Sequence, residues 1–180
     1  MADTVAKSGS TNRASISGKS IMIFLTVGTQ LPFDRFVELV DTWAEANPHM
    51  EIFAQIGHGD YQPKHMKYCA FLDEQSYKRE FEKASIVLAH AAMGSIITSL
   101  MEAKPVLVFP RIAALGEHRN EHQLATCRNF EKLDGCYVSY DKEQLFATLD
   151  DITTLRAGSL GQYANPALLN SIDNFISTQC

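Results

Sequence analysis

The chain is 180 residues long, enough for one domain with a real core and no need of disulfides. Its residues are 46% hydrophobic and 21% charged, which excludes wholesale disorder, a collagen-like fibre and a coiled coil. Sixteen Lys and Arg stand against 21 Asp and Glu, a net charge of -5, so nucleic acid is not expected as a partner. The four cysteines, Cys69, Cys127, Cys136 and Cys180, form no C-x-x-C pair. Reduced thiols in a cytoplasm fit that spacing better than a disulfide framework or a structural zinc.

Residues 1–20 are rich in Ser, Thr, Gly and Ala and read as a disordered tail, with one domain over residues 21–180. The run 21–28 is continuously apolar and ends at Gly28, as a strand buried on both faces would. Pro32 then opens a helix with Phe33, Phe36, Val37, Val40 and Trp43 at helical spacing, closed by Asn47-Pro48. Strands follow at 51–57 and 67–72, separated by a polar loop, Gly57 to Asp60, expected to be flexible. A helix over 75–84 leads to a fourth strand, 85–92, and a helix over 96–102. A fifth strand at 105–110 lies between two prolines, and a helix is predicted over 118–133. A sixth strand at 136–140 and helices over 142–155 and 166–178 complete the chain. Strands separated by helices predict an α/β fold, a single Rossmann-like domain with a parallel sheet. No stretch is long and apolar enough to span a bilayer.

Ligands of an open parallel sheet sit beyond the carboxyl ends of its strands. Three segments there carry chemistry. In LAHAAMGSI a strand ends at His90 and a helix opens around Met93, Gly94 and Ser95. Free N–H groups and the helix dipole favour an anion at such a start, and glycine lets a phosphate come close. Ser95 reads equally as a plain helix cap, and His90 as a core histidine. In GEHRNEHQ, Glu117, Glu121, His122 and Gln123 crowd the start of the next helix, where they could bind sugar hydroxyls or simply be solvated. Gly28, Thr29 and Gln30 could line a phosphate, although no G-x-G-x-x-G fingerprint is present.

His118 to His122 also matches the H-x-x-E-H pattern of inverzincin metallopeptidases. On one helix face the two histidines could hold zinc, with Glu121 as base and Glu131 or Glu143 as third ligand. No G-x-S-x-G elbow and no Walker-type loop occur, which argues against an α/β-hydrolase or a P-loop NTPase.

Four ordered blocks, FLTVGTQ through FDRF, QIGHGDY, AHAAMGSIITSL through KPVLVFPR, and GEHRNEHQLA, resemble the C-terminal half of family-28 glycosyltransferases. The likeness runs from about Ile21 to Tyr140. It is strongest to stand-alone versions of that half, such as subunits of dolichol-linked GlcNAc and bacterial exopolysaccharide transferases. The resemblance implies the donor half of a GT-B enzyme, binding a UDP-sugar without a metal or other cofactor. Gly28, Thr29, His90, Met93, Gly94 and Ser95 would then meet the diphosphate. Glu117, Glu121, His122 and Gln123 would meet the ribose or sugar. The acceptor half and the catalytic base would lie on a membrane-anchored partner subunit that takes a lipid-linked acceptor. That would put this chain on the cytoplasmic membrane face, with the helix over 166–178 either a docking element or packed on its own domain. An unpaired half also predicts self-association.

The chain departs from the family pattern at three places. Ala92 replaces the first glycine of His-Ala-Gly-x-Gly-Ser, and Ala103 replaces a glycine before the fifth strand. Thr98 and Met101 stand where relatives carry a ribose-binding Glu. These departures favour a rival reading: a non-catalytic, degenerate donor domain that stabilises or regulates its partner.

Overall fold

The computed structural model describes residues 21–158. The tail assigned to 1–20 and the helix assigned to 166–178 lie outside the described residues. Six strands are found: β1 (Met22–Thr26), β2 (Glu51–Gln55), β3 (Lys67–Cys69), β4 (Ile86–His90), β5 (Val106–Phe109) and β6 (Cys136–Val138). Five α-helices lie between and after them: α1 (Asp34–Ala46), α2 (Glu74–Lys83), α3 (Met93–Met101), α4 (His122–Phe130) and α5 (Lys142–Asp150). The strands form one sheet in the order β3-β2-β1-β4-β5-β6, and every neighbouring pair is parallel.

Period-two alternation along β1 feeds two separate cores. Ile23, Leu25 and Val27 pack with Phe36, Val40 and Trp43 of α1 and with Leu145 and Leu149 of α5. Met22 and Phe24 face the other way, onto Phe81 of α2, Ile96 and Leu100 of α3, and Cys127 and Phe130 of α4. A strand whose five residues are all buried has no solvent-facing side, and hence its sequence is apolar but for Thr26 at its end. Because β1 lies between β2 and β4, the strand order reverses at the β1–β4 boundary. The connections leaving these two strands diverge there and open a crevice.

Two expectations are corrected. The helix expected to start at His118 starts at His122. Glu117 explains the delay: its Oε2 accepts the Ile112 N–H at 2.8 Å, and left-handed Gly116 turns the chain just before it. The segment from Ile112 to Glu121 is thereby committed to a compact turn. The loop after β2, expected to be flexible, is strapped to α1. Asp34 accepts the N–H groups of Asp60 and Tyr61, each at 3.2 Å. Asp41, only 1% exposed, accepts from Tyr61 Oη, Lys64 N and His65 N at 2.8–2.9 Å. Asp34 also fills the space beside Gly59, where a Cβ would lie 2.2 Å from its Oδ1.

Helix α3 ends in a Schellman motif. Lys104 N donates to Ser99 O at 2.8 Å and Ala103 N to Leu100 O at 3.2 Å. The motif needs a left-handed residue between them, and Ala103 takes it with φ at 49°. An alanine there bears a steric penalty that glycine does not. Ala103→Gly should therefore stabilise the domain by roughly 0.5–1 kcal/mol, net of glycine's greater unfolded-state entropy. Thermal melting of the two proteins checks this; an unchanged or lower midpoint would show the strain to be relieved elsewhere.

Candidate functional site

The crevice at the β1–β4 boundary is a cleft of about 390 Å³. Gly28 to Leu31 form one wall, Ala91 to Met93 another, and His118, His122, Gln123 and Thr126 the third. His90 and Arg111 line it as well. Gly28, Thr29, Gln30, His90, Met93, His122 and Gln123, all singled out from the sequence, line this one place, whereas Gly94 and Ser95 are not among its lining residues.

Gly28 leaves β1 with φ at +76°, its N–H donating to Thr26 Oγ1 at 3.3 Å. The His90 ring lies against it, so a Cβ on residue 28 would stand 2.7 Å from His90 Cε1. His90 Nδ1 is buried and has no hydrogen-bond partner among the described residues. Burial, aided by the nearby Arg111 charge, pushes the His90 pKa down to about 4. The imidazole is thus neutral at physiological pH and offers one donor and one acceptor nitrogen.

Helix α3 begins beside this ring. Its cap residue, Ala92, has an ordinary extended backbone (φ -99°, ψ 130°) and no side-chain hydrogen bond to the first turn. The glycine that the resemblance implies at position 92 is therefore not demanded by conformation; what Ala92 adds is a methyl group on the cleft wall. The first-turn amides of a helix lack intrahelical acceptors and are available to an anion. Gly94 is exposed, and a Cβ built on it meets no atom within 4 Å. Ser95 lies on the inner side of the turn, where its hydroxyl and that of Thr26 face Tyr77. Gly94→Ala should thus keep or slightly raise stability, by up to about 1 kcal/mol, since the protein itself leaves room for the methyl. A phosphate drawn to the same amides would be displaced, costing about tenfold or more in nucleotide affinity. Melting and calorimetric titration, run in parallel, separate the two effects.

Glu117 and Glu121 do not join the cleft wall. Glu117 pairs in bidentate fashion with Arg35: Oε1 to Nε at 2.6 Å and Oε2 to Nη2 at 2.8 Å. Its side chain is 12% exposed. Glu121 is the exposed cap residue of α4 and makes no capping bond with its side chain. Gln123 is held: its Oε1 accepts the Arg111 N–H at 2.9 Å, and it is 6% exposed. The zinc reading fails on geometry. His118 sits in a turn, with Nδ1 3.1 Å from Asn120 O, while His122 opens the helix, so the two do not share a helix face. Among the described residues no group of three His, Cys, Asp or Glu is placed to hold a metal.

Sequence reasoning passed over Arg111. It is 2% exposed, and its guanidinium donates to Val27 O at 2.8 Å, to Leu31 O at 2.7 Å and to Pro32 O. It lies 4.5 Å over the Phe33 ring. The available signal was a charged residue directly after an all-apolar strand, on the rim where such sheets bind ligands.

The chain matches the model of the glycosyltransferase family 28 C-terminal domain over residues 22–167. No curated protein is significantly similar in sequence. Among solved structures, the solution structure of ALG13 superposes with a TM-score of 0.58 at 17% identity, covering 83% of this chain and 93% of that one. The kitacinnamycin glycotransferase gives 0.58 at 17% identity, covering 95% and 42% respectively. MurG of Acinetobacter baumannii gives 0.57 at 16%, covering 93% and 55%. The chain thus spans about half or less of the two larger proteins and nearly all of the smallest.

Proposed function

Since the chain belongs to the glycosyltransferase family 28 C-terminal domain, with the Rossmann-like fold of the C-terminal half of a GT-B enzyme, we propose that its cleft binds a UDP-sugar. In this reading the chain is the donor-binding subunit of a two-component, inverting transferase. A membrane-anchored partner supplies the acceptor half, the catalytic base and a lipid-linked acceptor, and holds this subunit at the cytoplasmic face. No helix among the described residues is long and apolar enough to cross a membrane.

One observation carries the reading. The His90 ring, neutral at physiological pH, and Ala92–Met93 at the start of α3 line the β1–β4 crevice, and the open face of Gly94 follows them in the same first turn. A diphosphate seated there would lie against the positive end of the helix. As the sugar–oxygen bond breaks, negative charge grows on the leaving UDP. Preorganised N–H donors then stabilise the transition state more than the ground state. His90 would donate to a phosphate oxygen as a neutral group, and no metal is required. His122 and Gln123 stand on the opposite wall, where the ribose or sugar would extend. ALG13-like architecture supports the two-subunit arrangement, because nearly the whole of that protein is matched by this one domain.

Calorimetric titration with UDP, UDP-sugars and ADP, with and without EDTA, tests the proposal. Uridine-selective binding that survives EDTA is expected. Absence of binding both by the chain alone and by its complex with a co-expressed membrane subunit would favour the degenerate, regulatory module instead.

A further inference from the structure

We propose that Arg111 is a positioning residue that sets the cleft's preference for a diphosphate: it fixes the Val27–Pro32 rim and holds an uncompensated positive charge behind it. The inference rests on the donor-domain reading. Its basis is a charge inventory of the cleft. Of the residues lining it, Arg111 alone is a Lys, Arg, Asp or Glu. Its guanidinium bonds go to three backbone carbonyls, all from the connection between β1 and α1. None goes to a carboxylate. Glu117, the acid whose charge reaches it, is already paired with Arg35 and with the Ile112 amide.

A buried cation without a counter-ion is expensive, and proteins seldom keep one. Three carbonyls and the face of Phe33 lessen that cost without cancelling the charge. Burial accordingly pulls the Arg111 pKa down to about 10, still well above physiological pH. The side chain therefore remains cationic, and its field reaches the cleft, where it adds to burial, the larger cause, in keeping His90 neutral. A diphosphate entering the cleft supplies the missing counter-charge. The same fork fixes the carbonyls of Val27, Leu31 and Pro32, and so the wall on which Gly28 and Thr29 stand. Arginine suits this double duty because its five donors form a rigid planar array.

Uridine, UDP and pyrophosphate are titrated into the full-length wild type, Arg111→Gln and Arg111→Lys. In Arg111→Gln, affinity for UDP and pyrophosphate should fall about tenfold or more, while that for uridine, which carries no charge, stays within about twofold. Arg111→Lys should recover most of the loss. The His90 ring, followed by NMR, should titrate at higher pH in Arg111→Gln and not in Arg111→Lys; His118 is the other nearby group acting on it. Equal losses for uridine and UDP would reduce Arg111 to a scaffold residue and overturn the proposal, as would unchanged UDP affinity. Should Arg111→Gln fail to fold, the wild-type Arg111 Nε–H resonance is titrated with pyrophosphate. A saturating shift supports the proposal and an unmoved signal overturns it. A wild type that ignores UDP but binds pyrophosphate would leave Arg111 in place and remove the uridine reading. One that binds neither would remove both.

Discussion

Gly28→Ala should abolish nucleotide binding and destabilise the domain by roughly 2–5 kcal/mol. Two costs add. The backbone at position 28 is left-handed, at φ +76°, which an alanine adopts only with a penalty of about 1–2 kcal/mol. The new methyl would also sit 2.7 Å from His90 Cε1 and 3.2 Å from Nε2. That ring is largely buried and lines the cleft, so a shift toward the cleft is one way for it to yield. Displacing it there would fill the space in which we propose the phosphate sits. The double variant Gly28→Ala/His90→Ala separates the terms. Removing the ring should return the clash share of the stability while leaving the left-handed strain. Chemical denaturation of the two single variants and the double variant measures the coupling. A coupling near zero would mean that ring and methyl do not meet.

Glu117→Ala is the second large effect, with an expected loss of about 2–4 kcal/mol. The carboxylate is nearly buried and serves three donors: two from Arg35 and the Ile112 N–H. Its removal strands the Arg35 guanidinium, which stays lodged 4.5 Å over the Phe109 ring with Nη2 on Pro110 O. Breaking such a pair costs more than the pair's own net worth, because the survivor keeps its desolvation. The damage should spread to the cleft, since Ile112 to Glu121 carries His118 and leads into His122 and Gln123. Donor affinity should drop about three- to tenfold through misplacement rather than through a lost ligand contact. Arg35→Ala and the double variant complete the cycle. If the single losses simply add, the ion pair is not what holds the segment.

Much of the architecture was legible from residue patterns. Continuous apolar runs marked β1, β4 and β5, because strands covered on both faces need no polar positions. The location of the site was also legible, because it follows from where a parallel sheet places its strand ends. Long-range polar contacts were not. Arg35 and Glu117 are 82 positions apart, and nothing local in either one announces the other. Asp41 looks like one more surface acid on α1, yet it is buried. Two of its three partners are backbone amides of the loop after β2, and amides are the same in every sequence. The start of α4 was misplaced for a related reason. Polar residues from His118 onward suit a first helical turn, but Glu117 had already tied the preceding chain elsewhere.

The two-sided burial of β1 also bears on the order in which the protein is made. Ile23 pairs with Ile86 in β4, and Met22 with Glu51 in β2. A ribosome must therefore synthesise α1, β2, β3 and α2 before β1 gains its second neighbour. Until then Met22 to Val27 is an apolar ribbon with one unpaired edge, the kind of segment that invites association with other nascent chains. Helix α1, which follows at once, can cover one of its faces early. The other face stays uncovered until α2 and α3 arrive. The strand that carries one lip of the cleft is thus made well before the strand that completes its pairing.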